Sequence, residues 1–319
     1  MSTRRRTRGP HLLLVVGVAS TALLAAGCSG DDDAEGATPT TASTSSTTSS
    51  AAPSSSVADG DDVDQTPPDG VNGIRIAADG SLWIASVKSD QILRVDATSG
   101  RILQRVAVPA GSAPDDVAID DEGAVHWTGY LTGDVGRIAP DSDETTVIAN
   151  VGPGANPIVV RGDGTLIVGR AGTGTGLFRI DPAGDPTPVP LGDPGNINSF
   201  DLSDDERLFS PGLDTPSVIE IDPDTGETLR TVTAIEGTPI ALRWHDGSIH
   251  VLVLGDQARV VRVDPASGAI EPFGDTGLPI ADNLAVADDG TVFVTALNTA
   301  TVAVLGADGT VERTLDIGG

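Results

Sequence analysis

Residues 73–100 read GIRIAADGSLWIASVKSDQILRVDATSG. Short β-branched runs alternate with Asp-Gly and Asp-Ala-Thr-Ser-Gly punctuation, the pattern of strands joined by tight hairpins. Together with the residues that follow, the stretch predicts strands at Ile74–Ala77, Leu82–Ser86, Ile92–Val95 and Ile102–Val108. The turn pair Asp79-Gly80 then recurs as Glu122-Gly123, Asp163-Gly164, Asp205-Glu206, Asp246-Gly247 and Asp289-Gly290, at steps of 43, 41, 42, 41 and 43 residues. A second turn recurs between these, opening at Asp96, Asp181, Asp222, Asp264 and Asp308, with a blurred copy from Asp141 to Asp143. Four strands per unit at a period of 40–50 residues is a propeller signature, because one small sheet cannot bury both of its faces alone. Six copies fill residues 71–319, and the expected fold is an all-β six-bladed β-propeller with four antiparallel strands per blade.

The residues before the repeat read as an address and a spacer. Arg4, Arg5, Arg6 and Arg8 precede an apolar run from Leu12 to Leu24, too short for a comfortable membrane span and suited to a signal region. It ends in Ala25-Ala26-Gly27-Cys28, and Cys28 is the one cysteine of the chain. Small residues before a lone cysteine resemble a bacterial lipobox, with Ala25 where Leu is preferred. The resemblance implies acylation of Cys28 after removal of residues 1–27. A plain secretory signal with an incidental cysteine is the other reading. Residues 28–70 are rich in Ser, Thr, Ala, Pro and Asp, with too little apolar surface to offset chain entropy, so a disordered tether is expected. Its reach is roughly 35 Å. The implied protein is a monomer outside the cell membrane, held there by its lipid anchor alone.

Composition excludes several classes. With 46 acidic against 19 basic residues and a net charge of −27, the chain repels phosphate, so nucleic acid is not an expected partner. One cysteine excludes a disulfide framework and a cysteine-rich zinc site.

The frame of residues 73–100 resembles the senescence marker protein/gluconolactonase/luciferin-regenerating superfamily, relatives of which include streptogramin lyase and paraoxonase. Asp282-Asn283-Leu284-Ala285-Val286 resembles that family's channel loops, and the likeness covers about three quarters of the chain. It implies a divalent ion at the channel mouth that polarises a lactone or ester carbonyl. The family's blade-one ligand is usually Glu, where this chain carries Asn72.

Loops entering the first strand of each blade gather at one end of the channel. Eight residues before the turn Gly, or before Glu206, stand Asn72, Asp115, Asn156, Asn198 and Asp282, and allowing one extra residue in blade five adds Thr238. Asp116, Ser199 and Asn283 are adjacent. Oxygen donors of this kind suit a hard cation, Ca²⁺ above all, with Asp115, Asn156, Asn198, Asp282 and Asn283 as candidate ligands and Asp116 or Asp282 as candidate base. Turn-forming polar residues in a purely structural ring, or an acidic pocket for a cationic ligand, are the competing readings.

His126 and His250 fall at second-strand positions that face a neighbouring blade, which predicts packing. His245 falls in the blade-five turn and His11 in the signal. Lys88, Asp90, Tyr130, Arg170, Asp214 and Asn298 share the candidate face. The glycine-rich stretch 169–176 lacks the following helix and the Lys that make a phosphate loop work. Three functions stay in play: a metal-dependent hydrolase, a non-catalytic propeller for a small ligand, glycan or protein, and a lyase, for which no channel histidine is found. If Cys28 carries the anchor, Cys28→Ser moves the protein from the detergent-extracted membrane fraction to the soluble one. Unchanged partitioning of that variant is the contrary result.

Overall fold

The turn residues recur because each does two jobs. Asp79 Oδ1 accepts from the Ser81 amide at 3.0 Å and hydroxyl at 2.6 Å, and Asp163 and Asp308 repeat this with Thr165 and Thr310. The following glycine supplies the left-handed backbone that the turn requires, at φ 82° for Gly80. Glu206 holds that conformation without being glycine, at φ 60°. Its carboxylate accepts from Arg161 Nη2 at 2.8 Å and from the Gly162 amide at 2.8 Å, both in the preceding blade.

The computed structural model describes residues 63–172, 174–183 and 185–319, and in them it shows six four-stranded antiparallel sheets. Each sheet takes its strands in sequence order, so every blade is one meander. Blade one comprises Ile74–Ile76, Leu82–Ser86, Gln91–Val95 and Ile102–Ala107, within a residue of expectation at each end. The innermost strands of blades two to six are Pro114–Ile119, Ala155–Val160, Asp201–Leu202, Thr238–His245 and Leu284–Val286. No helix among the described residues is long and apolar enough to cross a membrane. Cys28, the signal segment and residues 28–62 of the tether lie outside the described residues.

The core is divided into six apolar clusters, and each joins two neighbouring blades. Ile84 and Leu93 of blade one, for example, meet Phe293 and Val304 of blade six. Trp83 and Val106 meet Val117 and Trp127 across the next interface. Each such buried side chain contributes about 1.5–3 kcal/mol relative to exposure, so a blade is stable only with its neighbours in place.

Ring closure uses no exchanged strand, since blades one and six each keep four strands of their own. Residues 63–70 form no strand either, but they act as a strap across blade one. Gln65 Nε2 donates to the Ile102 carbonyl at 2.8 Å, and the Ile102 amide donates back to Oε1 at 2.9 Å, imitating a strand pair. Val63 packs on the cluster between blades one and six, and the Gly318 amide bonds the Gly100 carbonyl at 3.1 Å.

Gly73 sets how closely blades one and two approach. A Cβ there would overlap Asp116 Cα and the Asp115 carbonyl oxygen, while the Gly73 amide donates to that carbonyl at 2.8 Å. Gly73→Ala is expected to cost about 1–3 kcal/mol, the usual range for overpacking. Urea unfolding reads this as a lower midpoint at unchanged slope, and an unshifted midpoint contradicts it.

Candidate functional site

Strand register, rather than sequence offset, defines the channel's layers. Ile74 pairs Ile84, Val117 pairs Trp127, Ile158 pairs Val168, Leu242 pairs Val251 and Leu284 pairs Val294, all equivalent positions. Two residues earlier stand Asn72, Asp115, Asn156, Ile240 and Asp282, and Asn198 occupies the place in blade four. Thr238 is therefore not a member of this ring. Blade five turns in two residues at Asp246-Gly247, with His245 paired to Ser248, so the count from its turn is one shorter instead of one longer. The bulge between Pro239 and Ala241 has counterparts in blades two and three, so the short turn alone shifts the count; Thr238 is exposed, and apolar Ile240 fills the sixth position.

The amides of the mouth bond sideways from blade to blade. Asn72 Nδ2 donates to Asp115 Oδ1 at 2.9 Å and the Asn72 side chain also hydrogen-bonds Asp282. Asn156 Nδ2 donates to Asn198 Oδ1 at 3.0 Å, and Asn198 Nδ2 to the Ile240 carbonyl at 3.2 Å. Each amide spends N–H on a neighbour, so what it can offer a ligand is carbonyl oxygen. Asn72 thus sits between two carboxyls and binds both, which an ionised Glu could not do because it has no proton to donate.

Those carboxyls hold protons tightly. Burial, then the charges of Asp282 and Asp116, push Asp115 well above the usual carboxylate range. Burial and the Asp116 charge raise Asp282 to about 7 against the Asn72 hydrogen bond. Asp116 rises to about 6, burial outweighing the Arg75 charge and the amides of Val117 and Ile158.

Asp116 and Asn283 stand one layer below the mouth. Asp116 is fully buried, with Oδ1 bonded to the Val117 amide at 3.0 Å and Oδ2 to the Ile158 amide at 3.3 Å. Asn283 Oδ1 accepts from Arg243 Nη2 at 2.7 Å and from the Leu284 amide, while its Nδ2 reaches Asp116 Oδ1 at 3.4 Å. Both are braces, with their polar atoms committed to the fold.

Deeper still lies a layer that the offsets used for the mouth do not sample. Its members are Arg75, Ala118, Val159, Asp201, Arg243 and Ala285, each paired to a second-strand residue at the same register. Arg75 Nη2 lies 3.4 Å from Asp201 Oδ1, and Arg243 Nη2 lies 3.5 Å from Asp116 Oδ1. These pairs join blade one to four and blade five to two, opposite one another across the axis. Charge among Ala and Val at one strand position was the available signal.

Among the described residues no three His, Cys, Asp or Glu side chains are grouped to hold a metal. An ion at the mouth would need Asp115 and Asp282 completed by amide and main-chain oxygens, a donor set matched to Ca²⁺ rather than Zn²⁺. No histidine joins them: His126 is buried with Nε2 on Asp120 at 3.0 Å, and His250, lowered by burial to about 4, meets the Phe273 ring edge-on at 5.2 Å. His245 lies beside His250 at 5.9 Å between ring centres. Of the loop residues, Tyr130 feels the site, its hydroxyl raised by burial and by Asp115. Asp90 instead accepts the Gly111 and Ala113 amides, Lys88 meets Asp69 at 3.3 Å, Asp214 accepts the Asn196 amide, and Arg170 donates to the Val151 carbonyl. Stretch 169–176 links strands Leu166–Arg170 and Gly176–Ile180, as expected of a loop.

No family model and no curated protein matches the chain. Among solved structures, a streptogramin B lyase superposes with a TM-score of 0.60 at 17% identity, over 78% of this chain and 84% of that one. A gluconolactonase from Xanthomonas campestris gives 0.57 at 15% identity, over 73% and 84%. A calcium-binding protein, regucalcin, from Agrobacterium tumefaciens gives 0.54 at 18% identity, over 72% and 83%. At these identities the likeness establishes the six-bladed fold.

The acids give stability a dependence on pH with two limbs. Turn carboxylates such as Asp79, Asp163 and Asp308 are held below their usual value by hydrogen bonds, so their contribution is lost as pH falls below about 4. Asp115, Asp116 and Asp282 are raised, so they keep protons that the unfolded chain has released, and stability falls as pH rises from about 4 to about 7. Thermal melts in EDTA are expected to show that fall, and Asp282→Asn to reduce it. A midpoint climbing steadily over the range contradicts the assignment.

Proposed function

We propose that the propeller is a divalent-cation-dependent hydrolase of a small lactone or ester, working at the mouth formed by Asp115 and Asp282. The observation that carries this is a charge count. Four channel carboxyls, Asp115, Asp116, Asp201 and Asp282, face two guanidinium groups, Arg75 and Arg243. When all four ionise, two negative charges remain uncompensated, the charge of one divalent cation. Burial raises all four carboxyls, and neighbouring carboxylates add to it at Asp115, Asp116 and Asp282, which favours protons on them when no counterion is near.

Asp115, Asn156 and Asn198 are the proposed ligands on one side, and Asp282 closes the set beyond Asn72. Bound there, Ca²⁺ would supply Lewis-acid polarisation of a substrate carbonyl and a more acidic water. Asn72 keeps the two carboxyls at fixed separation. Asp282 is the favoured proton acceptor, since it is partly exposed at the mouth whereas Asp116 is fully buried. Tyr130 borders Asp115, and exposed Leu131 and Ile280 flank Tyr130 and the Asp282 loop, which suits a substrate with an apolar portion. The gluconolactonase and calcium-binding neighbours support the reading as analogy. It extends to display outside the membrane on a Cys28 lipid.

A propeller that binds without turnover is the second reading, favoured by Asn72, which braces carboxylates where a Glu would add charge. Calorimetry on the purified protein with Ca²⁺, Mg²⁺, Mn²⁺ and Zn²⁺ is expected to find one saturable site preferring Ca²⁺. At about 100 times Kd the ion adds ~2.7 kcal/mol of stability. Asp115→Asn should abolish that gain, and Asp282→Asn should abolish turnover of a lactone panel. Binding without turnover selects the second reading, and no binding of any of the four ions ends both metal-based versions.

A further inference from the structure

Asp115 and Asp282 enter the mouth where the inner strands lose their one-to-one pairing. In blade two the register steps from Pro114 opposite Gly129 to Val117 opposite Trp127, so Asp115 and Asp116 share Thr128 as their neighbour. In blade six Asp282 and Asn283 share Thr295. The Asp282 amide donates to the Thr295 carbonyl at 3.1 Å, and the Thr295 amide to the Asn283 carbonyl at 3.0 Å. Such a step takes an amide out of the ladder, and a buried amide without a partner is costly. The chain meets that need differently from blade to blade. Gly73 donates to the Asp115 carbonyl, and Pro157 has no N–H to place. Asp116 and Asn283, the residues after the two mouth carboxyls, donate instead to the hydroxyls of Thr128 and Thr295, at 3.2 and 3.1 Å.

Both threonines are fully buried, and they stand at one register position of the second strand, opposite Val135 and Val302 of the third. The other blades carry Ala85, Gly169, Pro211 and Leu252 there. A hydroxyl thus occurs in the two blades whose mouth residue is a carboxyl, and in none of the other four. Packing alone does not call for it, since Ala, Gly, Pro and Leu serve the same position. A threonine has one proton to give. Thr128 Oγ1 donates it across the blade boundary, to the Asn156 carbonyl at 2.6 Å, joining the strands that carry Asp115 and Asn156. Thr295 Oγ1 donates to the Asn283 carbonyl at 3.2 Å, inside its own blade.

We propose that Thr128 and Thr295 are positioning residues of the mouth, their hydroxyls fixing how the Asp115 and Asp282 carboxyls leave the strand, with Thr128 also setting Asp115 against Asn156. The proposal rests on the cation reading of the mouth. Neither threonine is a ligand; each acts through the peptide behind a carboxyl.

Calcium calorimetry on the purified protein tests this with Thr128→Val, Thr295→Val and the two matching serine variants. Valine keeps the branched shape and drops the hydroxyl, whereas serine keeps the hydroxyl. Thr128→Val should raise Kd by about tenfold, because a buried amide and a buried carbonyl in two blades both lose a partner. Thr295→Val should raise it by about fivefold, and the serine variants should stay within about threefold of the parent. Amide hydrogen exchange in EDTA reads the same geometry without the ion: Asp116 should exchange faster in Thr128→Val, and Asn283 faster in Thr295→Val. Thr165→Val loses its hydroxyl bond to Asp163 in the blade-three turn, so it should lower the urea midpoint and leave Kd unchanged. If Thr128→Val does not fold, Thr295→Val carries the test. A parent that binds no ion ends the cation reading and this one with it. With a parent that binds calcium, four results overturn this inference alone: a folded valine variant binding as tightly as the parent, serine variants as weak as valine ones, unaltered exchange, or Thr165→Val weakening calcium equally.

Discussion

Two guanidinium groups crossing the propeller axis organise everything around them. Arg75 reaches from blade one to Asp201 of blade four, and Arg243 from blade five to Asp116 of blade two. Buried ion pairs add little net stability because desolvation offsets attraction, but losing one partner is costly. Their value here is positional. They tie inner strands on opposite sides of the ring, hold Asp116 and Asn283 beneath the mouth, and leave Asp115 and Asp282 above without a cation. At the lower end the same two side chains line a cavity of about 190 Å³.

The blades can carry this polar axis because the apolar work is done elsewhere. Six clusters between neighbours supply the burial, and the cluster of blades one and six closes the ring as well as any other pair. Closure by packing, backed by the Gln65 strap, frees the terminal strands from exchange. Blade-to-blade hydrogen bonds at the mouth, such as Asn156 to Asn198, then couple the site's geometry to the spacing of the blades.

Much of the site was legible from turn arithmetic. Counting back from each turn found Asn72, Asp115, Asn156, Asn198 and Asp282 because five blades use hairpins of matching length. Blade five broke the count, since its turn is one residue shorter than the others, a difference that residue spacing does not reveal, and Ile240 stood where Thr238 was expected. Adjacent positions in a strand point to different sides, so neighbourhood in sequence did not make Asp116 and Asn283 part of the mouth. Arg75, Asp201 and Arg243 were missed because a charged residue inside a strand is ordinarily an exposed one. Here the strand happens to line an axis.

Strand and turn chemistry is local, so the chain alone determined the six-fold repeat, the four-strand blade and the Asp-Gly hairpins. Partnership across the channel is decided by which blades face each other, and that depends on how many blades close the ring and at what register. Residues 126 to 167 positions apart, such as Arg75 with Asp201 and Asp116 with Asn283, meet only after closure. Their charges, harmless in an exposed strand, acquire consequence there, because a closed channel removes the water that would otherwise screen them.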